Sequence, residues 1–150
     1  MKSRKHRKAL RIALIVLVLA AIPIGLYFAG SSYYSDARVF AENAKIALPK
    51  GMEEVYGKNG PADAQGHGDR YAFFKMKDVR DPFLSDFSAA RDGEMETAVE
   101  TILHGIGADR SRYPVFSDSY RSKTILDNTC RFYMIFDGET RLLYLVQNIP

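Results

Sequence analysis

Two side chains that can bind a metal ion or take part in hydrolysis lie close together in a glycine-rich stretch. The segment Gly66-His67-Gly68-Asp69-Arg70 places an imidazole two residues before a carboxylate. Such a pair can share a metal ion if His104 or another carboxylate completes the ligand set. Because no third ligand is evident, the sequence favours a polar turn that holds no metal and no cofactor. We keep His67, Asp69 and Arg70 as the candidate loop.

Cys130 and His104 form a second candidate pair, since a thiol and an imidazole can act as nucleophile and base. Cys130 is the only cysteine, and it begins an apolar segment without a local activating motif. His104 ends a predicted helix, where the helix dipole stabilises a protonated imidazole. The sequence therefore favours a small buried thiol and a structural histidine.

The segment that organises the rest of the chain is the apolar run of residues 12–29, which contains no charged side chain. At about 1.5 Å per residue, a helix of this length reaches roughly 27 Å, close to the hydrocarbon thickness of a bilayer. Six Lys and Arg residues precede it in the tail 1–11, with no acidic residue among them. Because cationic flanks stay on the cytoplasmic side, we predict a cytoplasmic tail, a transmembrane signal anchor over 12–30, and an extracytoplasmic remainder.

Two other interpretations of this run remain open. A cleaved secretory signal also begins with basic residues, but its apolar core spans about 7–15 residues and ends in small residues. Here the core is longer, and Tyr27 and Phe28 crowd the best cleavage position near Ala29. A buried helix of a water-soluble fold would show a polar face, which this run lacks. The intact mass of membrane-extracted protein separates an anchor from a cleaved signal.

The charge distribution differs between the two ends of the chain. Residues 1–30 hold six of the 21 Lys and Arg residues and none of the 18 Asp and Glu residues, which leaves a net charge of −3 for residues 31–150. The basic tail suits anionic lipid headgroups, and nothing resembles a nucleic-acid-binding face. The bilayer is therefore the expected partner, together with a protein or envelope partner outside the cell, and the oligomeric state is left open.

Residues 31–150 have the length of one domain. The apolar stripe over 35–48 predicts a stalk helix within 31–49 that Pro49 should end, and residues 50–150 predict an α+β domain. Asp81-Pro82 predicts the start of another helical region, with Phe83, Leu84, Phe87 and Ala90 on one side. The expected fold is an antiparallel sheet of four or five strands covered by one or two helices, because both strands of the C-terminal hairpin are apolar on both faces. The predicted strands are 54–56, 71–77, 121–126, 130–136 and 142–146, with a hairpin turn at Asp137-Gly138. The clearest helix is 94–104, which Gly105 should end.

The layout is similar to that of many small single-span envelope proteins of Gram-positive bacteria, which is a likeness of architecture and not of activity. The leading hypothesis is a non-enzymatic binding module displayed outside the cell. One alternative is an extracytoplasmic hydrolase with its site near His67 and Asp69, which alanine at both positions would test. Another is a membrane-assembly protein that acts through its span, which exchange of residues 12–29 for an unrelated span would test.

Overall fold

The structure is a computed structural model that describes residues 36–61, 68–80 and 82–150. The predicted tail and transmembrane segment lie outside the described residues, as does His67. None of the helices within the described ranges has the length and the apolar character needed to cross a bilayer.

The described residues form an α+β domain around one antiparallel sheet of five strands, which confirms the predicted fold class. The strands lie in the order β1-β2-β5-β4-β3, so β1 and β3 are the two edges. Two α-helices accompany the sheet in this part of the chain. The elements are α1 (Asp36–Ala44), β1 (Glu53–Asn59), β2 (Arg70–Lys75), α2 (Gly93–Gly105), β3 (Tyr120–Asp127), β4 (Cys130–Asp137) and β5 (Leu142–Asn148), with 3₁₀ turns at Pro82–Asp86 and Arg110–Arg112.

Helix α1 covers one face of the sheet, so the segment predicted as a stalk helix packs on the strands. Phe40 and Ala44, four residues apart, are its buried side chains. The Phe40 ring meets the Phe132 ring edge-on, with 5.6 Å between centroids and 86° between planes. Asn43 Nδ2 donates to Oε1 of the fully buried Gln147 at 3.0 Å. Apolar packing and a buried hydrogen bond thus join α1 to the sheet.

Helix α2 covers the opposite face. Its buried side chains recur at the three- and four-residue spacing of an amphipathic helix. They pack against aromatic residues of the sheet, among which Tyr71 and Tyr144 stack nearly parallel. The inward side chains of α2 are Met95, Val99, Ile102 and Leu103. The sheet is therefore the middle layer of three, which accounts for strands that are apolar on both faces.

Both helices end in turns that contain a residue in the left-handed conformation. In α1, Lys45 adopts φ 55°, and Ile46 N–H donates to the Ala41 carbonyl at 3.0 Å. Helix α2 ends at Gly105, as predicted, and Gly107 takes the left-handed position at φ 65°. Both arrangements are Schellman turns, which satisfy carbonyls in the last helical turn. Helix α1 therefore ends well before Pro49, the predicted stop.

The helical region predicted after Asp81 begins at Pro82, as expected, but it is shorter than predicted. It is a 3₁₀ helix over Pro82–Asp86, after which Ser88 pairs with Ser122 of β3. The two serines exchange backbone hydrogen bonds of 2.8 Å in both directions. The helix ends because the backbone N–H and C=O of Ser88 bond to the edge strand β3. Local residue spacing does not predict this long-range contact.

Candidate functional site

The part of the predicted loop that is described forms structural contacts. The Asp69 carboxylate accepts a hydrogen bond from Asn148 Nδ2 at 2.7 Å, and its backbone carbonyl accepts one from Gly60 N–H at 2.8 Å. Asp69 therefore ties the start of β2 to the end of β5 and to the residue after β1. His67 lies outside the described residues, so the pairing of its imidazole with Asp69 stays a prediction.

Arg70, the third residue of the predicted site, faces the beginning of α1. Its Nη1 lies 3.7 Å from Asp36 Oδ1, and both side chains are mostly shielded from solvent. Asn59 Nδ2 also donates to Asp36 Oδ1 at 3.4 Å. Asp69 and Arg70 are adjacent in the chain, yet they contact different partners. Across the described ranges, no group of three or more His, Cys, Asp and Glu side chains could hold a metal ion.

A carboxylate pair near Arg70 was missed by the sequence analysis. Partial burial, together with the negative charge of Asp36, raises the pKa of Glu54 above its ordinary value. The pair can approach because position 57 is a glycine: a Cβ atom there would lie 2.4 Å from Asp36 Oδ2 and 3.2 Å from Glu54 Oε1. No local pattern links these residues, because they meet only when α1 lies against β1.

His104 and Cys130 lie on opposite faces of the sheet. His104 is exposed near the end of α2, whereas half-buried Cys130 packs with the cluster under α1. The sheet separates the thiol from the imidazole, so they do not form the nucleophile–base pair considered above. The prediction of a structural thiol agrees with this packing, although Cys130 is only half-buried.

A shallow recess of about 500 Å³ lies beside His104, between the exposed face of α2 and the turn at Arg110–Arg112. The hydroxyls of Thr97 and Thr101, which line it, donate to backbone carbonyls four residues earlier in the helix, each at 2.8 Å. Those hydroxyls are engaged within the helix, and no base is bonded to either. The recess therefore lacks an activated nucleophile among the described residues.

The edge of β3 offers a different kind of site, made of backbone. Ser122 directs its N–H and C=O away from β4, toward Ser88. Because backbone groups alternate direction along a strand, those of Thr124 and Leu126 point the same way. Within the described ranges no backbone group pairs with them, whereas Ser88 occupies Ser122. Thr124 and Leu126, in the second half of β3, therefore each present an N–H and a C=O at the sheet edge that are unpaired among the described residues.

A groove of about 310 Å³ runs beside this open edge, between the first turns of α2 and the outer strands. Leu126 lies in the groove with 69% of its surface exposed, an unusual degree for a leucine on a strand. Acidic residues Asp92 and Glu94 line the helix side, and Arg131 lines the sheet side. An open strand edge beside an apolar, charge-flanked groove is the geometry that accepts an additional strand.

The other edge of the sheet, β1, is protected. Its pairing with β2 is interrupted by an irregularity between Glu54 and Tyr56. Charge does not distinguish the two edges, since three residues of seven are charged in β1 and three of eight in β3. Bulges are a common device that prevents unwanted strand addition, and the pairing of β3 with β4 shows no such irregularity. The contrast makes β3 the edge suited to binding in the part of the chain that is described.

A chain of hydrogen bonds through Asp92, Tyr120 and Glu96, here called the polar relay, holds α2, the helix side of the groove, against β3. Asp92, the N-cap of α2, accepts from Met95 N–H at 2.9 Å, and its own N–H donates to the Tyr120 hydroxyl at 3.0 Å. Tyr120 donates to Glu96 Oε1 at 2.8 Å, and Arg91 donates to both carboxylate oxygens of Glu96. These bonds, led by that of Tyr120, lower the pKa of Glu96. The wall is therefore fixed before any partner binds.

Replacing Tyr120 with phenylalanine should lower the thermal stability of the domain by an amount that depends on pH. A carboxylate with a lowered pKa in the folded state stabilises the fold above its ordinary pKa of 4.5 and loses that effect as the pH falls through the lowered value. We expect Tyr120→Phe to lower Tm by roughly 5 °C at pH 7 and to differ less from wild type below pH 4.5. Thermal unfolding measured from pH 7 to pH 3 is the test.

The matched control is Tyr133→Phe, because the Tyr133 hydroxyl makes no hydrogen bond to any described residue. Its Tm difference from wild type should be small and should not change with pH. A Tm difference between Tyr120→Phe and wild type that stays constant from pH 7 to pH 3 would contradict the role given to Glu96.

No protein-family model, curated protein or solved structure matches this chain.

Proposed function

We propose that this chain is a single-pass membrane protein that displays its α+β domain outside the cell and acts by binding an extended protein segment, without catalysis. The apolar run 12–29 and the basic tail before it support the anchor and its orientation. The observation that carries the binding role is the open edge of β3 beside the groove under α2. Strand addition at such an edge supplies affinity through backbone hydrogen bonds and selectivity through alternate side chains.

Protease added to intact cells or protoplasts tests the orientation. We expect residues 31–150 to be digested without lysis, because the proposed orientation places them outside the bilayer. The tail 1–11 should be cut only after lysis, and an epitope tag at each end reports the two events separately. Survival of the domain in intact protoplasts, with loss of it on lysis, would overturn the proposed orientation.

Proline at position 124 tests strand addition at β3. Thr124 N–H points away from β4, so Thr124→Pro removes a donor from the open edge and keeps the β3–β4 hydrogen bonds. A photo-crosslinking residue at Leu126 should capture a polypeptide in native membranes, and Thr124→Pro should reduce that capture at least about tenfold. Tm should change by only a few degrees, since proline is tolerated where a strand edge faces solvent.

Two control variants make this result specific. Thr124→Val keeps the N–H and should leave capture unchanged. Ile125→Pro removes a donor that points toward β4, and should therefore destabilise the domain itself. Equal capture by Thr124→Pro and wild type would show that β3 does not bind a strand.

A further inference from the structure

We infer that the strand added at β3 is β3 of a second copy of this chain, paired antiparallel about a two-fold axis at Ile125. This inference rests on the proposed strand addition and names the partner for that edge. The available segment is Lys123-Thr124-Ile125-Leu126-Asp127, since Ser88 occupies the edge at Ser122. A two-fold interface must be self-complementary, and this segment has opposite charges at its two ends.

The proposed register pairs the open backbone groups of Thr124 and Leu126 on both chains. With Ile125 on the axis, Thr124 of each copy lies opposite Leu126 of the other. Both residues point their N–H and C=O outward, so the two pairs exchange four hydrogen bonds. Shifting the axis to Thr124 would place Leu126 against Ser122, whose backbone groups already bond to Ser88. Shifting the axis to Leu126 would place the charged side chain of Asp127 opposite the apolar side chain of Ile125.

The charges agree with the same register. Lys123 of each copy lies opposite Asp127 of the other, which gives two cross-strand ion pairs. Within one chain, Lys123 Nζ lies 3.4 Å from Asp86 Oδ2, and Asp127 Oδ2 lies 2.6 Å from Lys45 Nζ. Across the interface these groups alternate in sign: Asp86, Lys123, then Asp127 and Lys45 of the second copy. Opposite charges in cross-strand positions stabilise antiparallel pairs, and like charges there oppose them.

The apolar side chains gain contacts in this arrangement. Leu126, the most exposed large apolar residue on a described strand, would pack beside Thr124 of the second copy. The two Ile125 side chains would face each other across the axis, on the face covered by α1. Residues in such a pair without direct hydrogen bonds approach to about 4.5 Å between Cα atoms. That distance falls within the range that a disulfide can bridge.

Complementary charge reversal tests the register in the full-length protein, extracted in detergent and studied by sedimentation equilibrium. Wild type should dimerise. Lys123→Glu alone and Asp127→Lys alone should each weaken dimerisation at least about tenfold, because both ion pairs become like-charge pairs. An equimolar mixture of the two variants should recover dimers, because opposite charges meet at both pairs in a mixed dimer. Failure of the mixture to recover, or insensitivity to either variant, would overturn the inference.

A cysteine at the axis provides a second measurement that does not depend on charge. Ile125→Cys in a Cys130→Ser background should form a disulfide-linked dimer in native membranes under mild oxidation. Arg121→Cys in the same background is exposed on β3 but lies beyond the Ser88 contact, and should remain mostly monomeric. Equal crosslinking by both variants would contradict pairing about Ile125.

The two proposals fail in distinguishable ways. One outcome is that wild type stays monomeric, the crosslinker at Leu126 captures a different polypeptide, and Thr124→Pro abolishes that capture. In that case the second-copy inference is wrong and strand addition stands. If wild type stays monomeric and Thr124→Pro changes no capture, both proposals are wrong. Dimerisation that survives both charge reversals overturns the proposed register and with it the inference.

Discussion

Replacing Phe40 with alanine is expected to cost about 3–5 kcal/mol of unfolding free energy. Phe40 is 3% exposed and contacts Phe132 from the one helix that covers this face within the described residues. Alanine would remove that contact and leave a cavity between helix and sheet, because the layers cannot close fully. Urea unfolding followed by circular dichroism measures the difference in unfolding free energy.

The matched control for this change is Glu42→Ala, two residues later on the exposed side of α1. Glu42 forms an ion pair of 2.7 Å with Arg38, and 61% of its side chain is exposed. Such surface pairs contribute about 0–1 kcal/mol, so the variant should stay close to wild type. Similar losses in the two variants would contradict the buried role of Phe40.

Truncation measures the same contact in another way. A chain that begins at Asp36 keeps α1 and should unfold cooperatively. A chain that begins at Lys50 exposes the apolar side chains under α1, and should bind a hydrophobic dye and lose its sharp transition. Equal stability of the two chains would show that residues 36–49 do not belong to the core.

Replacing Asp137 with alanine is expected to cost about 2 kcal/mol, because a carboxylate that organises a loop is lost. Asp137 is 5% exposed at the end of β4. It accepts from Glu139 N–H at 3.0 Å and from the Thr140 hydroxyl at 2.6 Å. These bonds shape the connection to β5, where Arg141 adopts φ 59°. Chemical denaturation of the purified protein gives the magnitude.

Two comparisons make the Asp137 result interpretable. Asp137→Asn retains an oxygen that can accept from Glu139 N–H, so it should recover part of the loss. Asp118→Ala removes an exposed carboxylate from another loop, and should change stability by less than about 0.5 kcal/mol. An Asp137→Ala variant as stable as Asp118→Ala would contradict the role of this carboxylate.

The C-terminal hairpin was the most predictable part of the fold, because its signals are local. Strands β4 and β5 are apolar at consecutive positions, which indicates cover on both faces, and α1 and α2 provide that cover. Asp137-Gly138 marked the turn between them. Gly93–Gly105 was also predicted closely, since the spacing of its apolar residues specifies a helix independently of the rest of the chain.

Features that depend on distant contacts could not be predicted. Lys45 ends α1 in a left-handed conformation, although lysine gives no signal for it. Ser88 leaves a predicted helical region to pair with Ser122, 34 positions later. The open edge of β3 follows from the strand order, which no local pattern specifies. The partner of Asp69 is Asn148, so the candidate loop could not be interpreted from its own residues.

The first described residue of the domain lies at the β1 side of the sheet, and the β3 edge lies at the opposite side. Asp36, the first residue of α1, contacts Asn59 of β1 and Arg70 of β2, whereas β3 is the far edge. Strands lie about 4.8 Å apart, so in the proposed pair the two Asp36 residues are separated by roughly 40 Å of continuous sheet. Rotation about an axis normal to that sheet keeps both α1 helices on one side. Under the proposed function, the pair would act as a spacer that holds the two proposed membrane anchors apart while it joins the domains.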